Sequence, residues 1–327
     1  MSMIGYNSVF KKDLFKDQVI LVTGGGTGIG RCTAHELASL GATVIIAARK
    51  IDQLINTARE IELLGGKCET MALNIRDPKQ AVEVVQAIVA KHGKLTGLVN
   101  NAGGQFRSPA SKLSPNGFAA VVNLNLMGTF NLCKAAFDTY MGEHGGSIVN
   151  VTLDCRNGIP GMLHSGAARA GVINMTKTLA IEWGPFNGIR INCVSPGMMM
   201  TSGLKTYPEH NPSSRMGTES EAAAAVVFLL SPAASYITGI NLPVDGASSL
   251  TCAGTYGTET LFNPKTSLMK PYIGWLQQQE GGGEEEETKG QPAVKELDAP
   301  EPIIHLYERY KGFVNGGSAN GGGGSKL

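Results

Sequence analysis

In the stretch Thr23-Gly24-Gly25-Gly26-Thr27-Gly28-Ile29-Gly30, glycines 24, 28 and 30 follow the spacing G-x-x-x-G-x-G. Without a Cβ, glycine lets a chain turn sharply and lie close to an anion. The apolar run Val19 to Val22 before it reads as a strand, and a helical pattern begins near Ile29. A helix starting there points free N–H groups and the positive end of its dipole at the turn, as a phosphate requires. A second apolar run, Thr43 to Ala47, stands where the next strand of a βαβ unit belongs. The stretch therefore reads as a dinucleotide pocket, and a flexible glycine loop is the weaker alternative. Where that second strand ends, a carboxylate would bind a ribose 2′-hydroxyl, but the sequence is Ala48-Arg49-Lys50. Arg49 and Lys50 offer two cations to a 2′-phosphate, which favours NADP(H); the plainer reading is that they solvate a loop. Asn74 and Ile75 follow the third strand, where an adenine lies. Asn101, Ala102 and Gly103 follow the fourth, where small residues admit the other half of the dinucleotide.

These groups need a scaffold that brings several strand ends together. Strands are expected near 19–23, 43–47, 69–73, 97–100, 147–152, 190–195 and 240–244, and helices near 29–40, 51–64, 78–92, 117–141, 165–184 and 219–230. Such alternation argues for an α/β fold: one doubly wound, parallel, seven-stranded sheet of Rossmann type with helices on both faces. Pro78, Pro115 and Pro232 fall at element boundaries, where a missing N–H costs little.

A chain of 327 residues with 42% hydrophobic content can bury a large core. Its net charge of +1, without a Lys/Arg cluster, gives no sign of a nucleic-acid or membrane-surface partner. The cysteines at 32, 68, 133, 155, 193 and 252 include no C-x-x-C pair and fall mostly in apolar segments, so they read as reduced core residues. No apolar run reaches the ~20 residues of a membrane span.

The expected layout is an N-terminal extension (1–14), the nucleotide-binding domain (15–250) and a C-terminal extension of it (251–279). An acidic Gly/Pro-rich linker follows (280–302), containing Glu284 to Glu287 and reading as disordered. Residues 303–315 regain apolar content and read as a docking helix. A glycine-rich tail (316–327) ends in Ser325-Lys326-Leu327, the tripeptide bound by the peroxisomal import receptor. A peroxisome or glycosome matrix is the expected location.

The glycine turn, Asn100-Asn101-Ala102-Gly103 and Ser195-Pro196-Gly197 together resemble the short-chain dehydrogenase/reductase family over roughly residues 15 to 250. The resemblance adds Pro196 and Gly197 to the cofactor set and implies a homodimer or homotetramer, with helices 117–141 and 165–184 at the contacts. Asn101 to Ala110, His164 to Val172 and Leu229 to Gly239 are similar to peroxisomal trans-2-enoyl-CoA reductases, with 2,4-dienoyl-CoA reductases next. The family's catalytic Asn, Ser, Tyr and Lys map onto Asn125, Thr152, Ser165 and Arg169. Ser165-Gly166-Ala167-Ala168-Arg169 thus stands where Y-x-x-x-K is usual.

That departure bears on the chemistry. A ketone reduced to an alkoxide must be protonated on oxygen, and Ser165 is far too weak an acid for this. Reduction of a C=C bond conjugated to a thioester gathers charge on the carbonyl oxygen and protonates carbon. The oxygen then needs donors, which Thr152 and Ser165 could supply, and a nearby positive charge such as Arg169. An NADPH-dependent enoyl-CoA reductase is the leading expectation, with 2,4-dienoyl-CoA reduction or a catalytically silent NADPH-binding subunit as the alternatives. For the carbon-bound proton His164, Asp154, Tyr207 and an ordered water near Asn125 stay open. Met198-Met199-Met200 and the loop to Arg215 lie where this family covers its substrate, and suit either an acyl channel or ordinary core contacts.

Overall fold

The computed structural model describes residues 6, 8–155, 158–201, 212–213, 215–250 and 269–275. Tyr207, Cys252, the linker 280–302, the docking helix 303–315 and Ser325-Lys326-Leu327 lie outside them. The chain divides into two units, Met1–Asn7 with Trp275–Leu327, and Ser8–Gly274. In the first, Tyr6 and Trp275 form an antiparallel bridge, their rings in a T at 5.1 Å. The second carries the sheet.

Its seven parallel strands are β1 Val19–Thr23, β2 Thr43–Ala48, β3 Lys67–Ala72, β4 Gly97–Asn100, β5 Gly146–Val151, β6 Ile189–Pro196 and, after two short strands, β9 Asn241–Val244. They run in the order β3-β2-β1-β4-β5-β6-β9. β1 is buried at every residue, as a central strand covered on both faces must be. Two apolar clusters supply that cover, one including Ile20, Val22 and Leu37, the other Leu21, Ile45 and Leu98. β1 pairs with β2 (Thr23 beside Ala47) and with β4 (Val22 beside Val99), so the strand order reverses between β1 and β4. A doubly wound sheet opens a crevice at that reversal, beyond the carboxyl ends of the strands. The turn after β1 and Asn101 to Gly103 after β4 meet there.

The helices are α1 Gly28–Ser39, α2 Ile51–Leu63, α3 Pro78–His92, α4 Pro115–Val122, α5 Gly128–Ala136, α6 Gly142–His144, α7 Leu163–Asn187 and α8 Glu219–Leu230. Local chemistry explains their ends. The Asp77 carboxylate accepts from the N–H groups of Lys79 and Gln80, Pro78 needs no partner, and Gly93 closes α3 in the left-handed conformation. Thr218 and Glu221 form a capping box on α8. The single helix expected over 117–141 is instead interrupted by two π turns, Asn123–Met127 and Phe137–Met141. Each is a local widening of the helix that hydrophobic periodicity does not encode. The first holds Asn125.

Met199–Met200 (β7) pairs in parallel with Gly217–Thr218 (β8), and both methionines are buried. Ordinary core contact is therefore what these two make. All five described cysteines are free; Cys32, Cys68, Cys133 and Cys193 are buried. Burial pushes the thiols of Cys68, Cys133 and Cys193 up to about 12, which keeps them protonated. Among the described residues no helix is long and apolar enough to cross a membrane, and no His/Cys/Asp/Glu group is arranged to hold a metal.

Candidate active site

The glycine turn is fixed from beneath by β4. Thr23 Oγ1 donates to the Val99 carbonyl at 3.2 Å and accepts from the N–H groups of Asn101 at 3.1 Å and Ala102 at 3.0 Å. Asn101 Nδ2 donates back to the Thr23 carbonyl at 3.0 Å. Gly24 and Gly28 have φ of 68° and 59°, a region that only glycine enters without strain. Gly30 serves differently: a Cβ there would run into the Gly24 carbonyl and the Asn101 amide, so its hydrogen brings α1 against the turn. Thr27, the N-cap of α1, makes no side-chain cap, and no acidic residue occupies the first turn. The N–H groups at this helix start are left to an anion.

A cleft of about 380 Å³ opens beside this turn. Gly24 and Thr27 line it with Arg49, Lys50, Asn74, Ile75, Asn101, Ala102 and Gly103, so nine of the expected cofactor residues share one cavity. Thr23, Gly26, Gly28, Ile29, Gly30, Pro196 and Gly197 are not on its wall. Thr23 is 1% exposed and holds the turn through its hydroxyl, and a Cβ on Gly197 would lie 2.7 Å from that of Asp245. Gln53, Leu73 and Leu124 also line the cleft and carry no motif that sequence reading could have used. The uncapped helix start, the glycine floor and the two exposed cations fit a phosphorylated dinucleotide.

Beyond Gly103 lies a second cluster. Asn125, wholly buried in the π turn, holds both backbone groups of Gly104: Oδ1 accepts its N–H and Nδ2 donates to its carbonyl, each at 3.0 Å. Arg169 is 6% exposed; Nη1 donates to the Val151 carbonyl at 2.9 Å and Nη2 to Asn125 Oδ1 at 3.5 Å. Its Nε is buried without a partner among the described residues. Burial draws the guanidinium down to about 10, which leaves it a cation at neutral pH. Gly103 is glycine because Arg169 Nη2 occupies the space a Cβ would need.

The structure does not bring Thr152 into this cluster as an oxyanion donor. Its hydroxyl lies 2.7 Å from Ser195 Oγ and 3.1 Å from the Val194 carbonyl. Ser195 gives its own proton to Asn241 Oδ1 at 2.6 Å, so the Thr152 proton is spent within the sheet. Ser165 does face the cluster. It has no exposed surface, and Oγ donates to Gln105 Oε1 at 2.9 Å. Beside it, His164 Nδ1 accepts the Ser165 N–H at 2.7 Å, so the neutral ring carries its proton on Nε2, which is buried without a partner among the described residues. The Phe106 ring stands edge-on to His164 at 4.5 Å. Gln105 and Phe106 join this cluster from the run Asn101 to Ala110, where no residue type or spacing marks them as part of a catalytic set.

Next to Ser165 is a cavity of about 600 Å³, lined by residues such as Ile159, Met162, Leu163, Gly166 and Ala170. It is mainly apolar, and Met199 and Met200 are not among its lining residues. Gly103, against Arg169 Nη2, lines the first cavity, and Gly166, next to Ser165 in the chain, lines the second.

A family model described as Enoyl-(Acyl carrier protein) reductase matches residues 24–248. A peroxisomal 2,4-dienoyl-CoA reductase, (3E)-enoyl-CoA-producing, of Mus musculus is 38% identical over 260 residues, 75% of this chain and 88% of that protein. A probable 2,4-dienoyl-CoA reductase, (2E)-enoyl-CoA-producing, of Bacillus subtilis is 36% identical over 71% of this chain and 97% of that one. Among solved structures, a citronellol catabolism dehydrogenase of Pseudomonas aeruginosa PAO1 superposes with a TM-score of 0.70 and 47% identity, covering 75% of this chain and all of that one. The relatives favour 2,4-dienoyl-CoA reduction, the alternative of the sequence reading, over trans-2-enoyl-CoA reduction, its first choice.

Proposed function

The chain belongs to the short-chain dehydrogenase/reductase family, and on that premise we propose that it reduces a C=C bond conjugated to an acyl-CoA thioester, with NADPH as reductant and a 2,4-dienoyl-CoA as first substrate. The observation that carries this is Ser165-x-x-x-Arg169: a hydroxyl and a buried guanidinium, charged at neutral pH, stand where carbonyl chemistry would place an acid and its lysine. Such a pair can stabilise an oxyanion and cannot protonate one.

The dinucleotide, when bound, supplies hydride to the far end of the conjugated system. The N–H groups at the start of α1 hold its pyrophosphate, and Arg49 and Lys50 hold a 2′-phosphate. As the thioester oxygen becomes an enolate, Ser165 donates a hydrogen bond to it and Arg169 contributes positive charge from a site closed to water. Asn125 keeps Gly104, and with it the chain entering Gln105, in place. The apolar cavity at Gly166 takes the acyl tail. Neither Ser165 nor Arg169 is an acid at neutral pH, so the proton that ends on carbon comes from another group, His164, Asp154, Tyr207 or an ordered water near Asn125.

A homodimer or homotetramer goes with this reading, burying the exposed Met127, Phe130 and Ile181 of the helices expected at the contacts. So does a peroxisomal or glycosomal location, suggested by the names of the mammalian relatives; deleting Ser325-Lys326-Leu327 from a fluorescent fusion tests it. For the activity, NADPH oxidation is followed with 2,4-dienoyl-CoA and trans-2-enoyl-CoA of matched length, and the product double bond is located. A protein that binds NADPH tightly and oxidises none with either substrate is the silent subunit instead.

A further inference from the structure

The hydroxyl that the proposed chemistry needs as a donor already has an acceptor within the protein. Ser165 Oγ donates to the amide oxygen of Gln105 at 2.9 Å, and Ser165 itself is fully buried. The backbone on either side of Gln105 is held: Gly104 by the two hydrogen bonds of the Asn125 amide, Phe106 by its ring contact with His164. Gln105 is exposed. Its side chain can therefore swing away from Ser165 while its main chain stays where it is.

We propose that Gln105 is a latch on Ser165, its amide oxygen occupying the acceptor position that the substrate oxygen takes over as negative charge gathers there. The proposal rests on the reading of Ser165 as the oxyanion donor. Its chemistry follows from acceptor strength. Nitrogen feeds its lone pair into a carbonyl more effectively than sulfur does, so an amide oxygen accepts hydrogen bonds better than a thioester oxygen. An enolate oxygen, which carries charge, outdoes both. A ground-state thioester thus fails to displace Gln105 from Ser165, and a developing enolate succeeds. The hydrogen bond is then strongest in the transition state, where it raises kcat without tightening substrate binding. Position agrees: Gln105 is two residues beyond Gly103 on the dinucleotide cleft, and Ser165 adjoins Gly166 on the apolar cavity. The exchange takes place where the reacting carbons must lie.

The test is Gln105→Ala in the full chain, measured for turnover of a 2,4-dienoyl-CoA with NADPH and for the Kd of a saturated acyl-CoA, a thioester that cannot be reduced. With the latch gone, Ser165 is free for the ground-state thioester, so KM and the saturated acyl-CoA Kd both fall by about 3- to 10-fold, the worth of one neutral hydrogen bond, while kcat does not rise. In a Ser165→Ala background the same change moves neither constant. Gln105→Glu, a stronger acceptor, holds the hydroxyl and lowers kcat. A Gln105→Ala protein whose Kd rises or stays unchanged, or a drop of equal size in the Ser165→Ala background, overturns the latch. Failure of the functional reading looks different: the unaltered protein then oxidises no NADPH with any enoyl-CoA, whereas failure of the latch alone leaves that turnover intact and the saturated acyl-CoA Kd unmoved by Gln105→Ala.

Discussion

Arg169 Nη2 stands 3.5 Å from Asn125 Oδ1 while its Nη1 donates to the Val151 carbonyl at 2.9 Å, so one buried cation ties α7 to the π turn and to the end of β5. The partners of Arg169 in these contacts are a backbone carbonyl and an amide oxygen, so dipoles rather than a carboxylate face its charge there. Such an arrangement is costly for a merely structural residue and useful at a developing oxyanion. Arg169→Met should therefore lower kcat by about 10²- to 10³-fold, with stability changed by no more than about 1 kcal/mol. Steady-state kinetics beside urea unfolding checks both, and a protein that loses stability while keeping turnover contradicts the assignment.

Thr152 sets up the opposite expectation. Its proton is spent on the β6 chain, so Thr152→Val should cost about 1 kcal/mol of stability for the lost hydrogen bond and leave kcat within ~3-fold. A drop of two orders of magnitude in kcat would restore it to the oxyanion site.

The glycines of the turn separate by cause. At Gly28, where φ is 59° and the nearest atom to a Cβ would be 3.8 Å away, alanine meets backbone strain alone, about 1–2 kcal/mol. At Gly30 the added Cβ strikes the Gly24 carbonyl and the Asn101 amide, so α1 must move off the turn. Gly30→Ala should accordingly weaken NADPH binding more than Gly28→Ala, as read by fluorescence titration.

Much of this was legible in the sequence. Continuous apolar runs and glycine or proline punctuation placed all seven strands of the large sheet within two residues at each end, because a strand buried on both faces has few other ways to be written. Arg49, Lys50 and Asn101 to Gly103 came out on one cleft since their places after β2 and β4 follow from topology. What stayed hidden was side-chain direction. Thr152 keeps the hydroxyl expected of its position, yet two neighbouring groups on β6 claim the proton, and Gln105 carries no motif. The π turn at Asn125 likewise leaves no trace in hydrophobic spacing.

Stability should fall in acid through one buried cluster. Burial holds His35 down to about 4 from 6.5, and Glu60, which accepts from His35 at 3.0 Å and pairs with Arg31 at 2.7 Å, is held below its usual range mainly by the His35 hydrogen bond working against burial. Below pH 6.5 the unfolded chain takes up a proton that folded His35 refuses. That contribution, on the order of 3 kcal/mol, is whole above pH 6.5 and is lost as pH falls toward 4; the Glu60 part follows below 4.5. Denaturant midpoints from pH 7 to 4 should show the slope, and His35→Gln should flatten it.

Arg49 and Lys50 are both exposed on the cleft rim, and each can give a phosphate a charge-assisted hydrogen bond. Replacing both with alanine should raise the KM for NADPH about 10- to 100-fold and leave that for NADH nearly unchanged. An equal rise for both nucleotides would reduce the pair to loop solvation.

On the proposed reading the site reduces C=C and not C=O, because Ser165 cannot supply the proton an alkoxide demands. The direct measurement is the kcat/KM ratio, with NADPH, for a 2,4-dienoyl-CoA against a 3-oxoacyl-CoA of the same length. The expected ratio is about 10² or more, on the order of what a missing general acid costs. A ratio near one, or a preference for the 3-oxo compound, would contradict it.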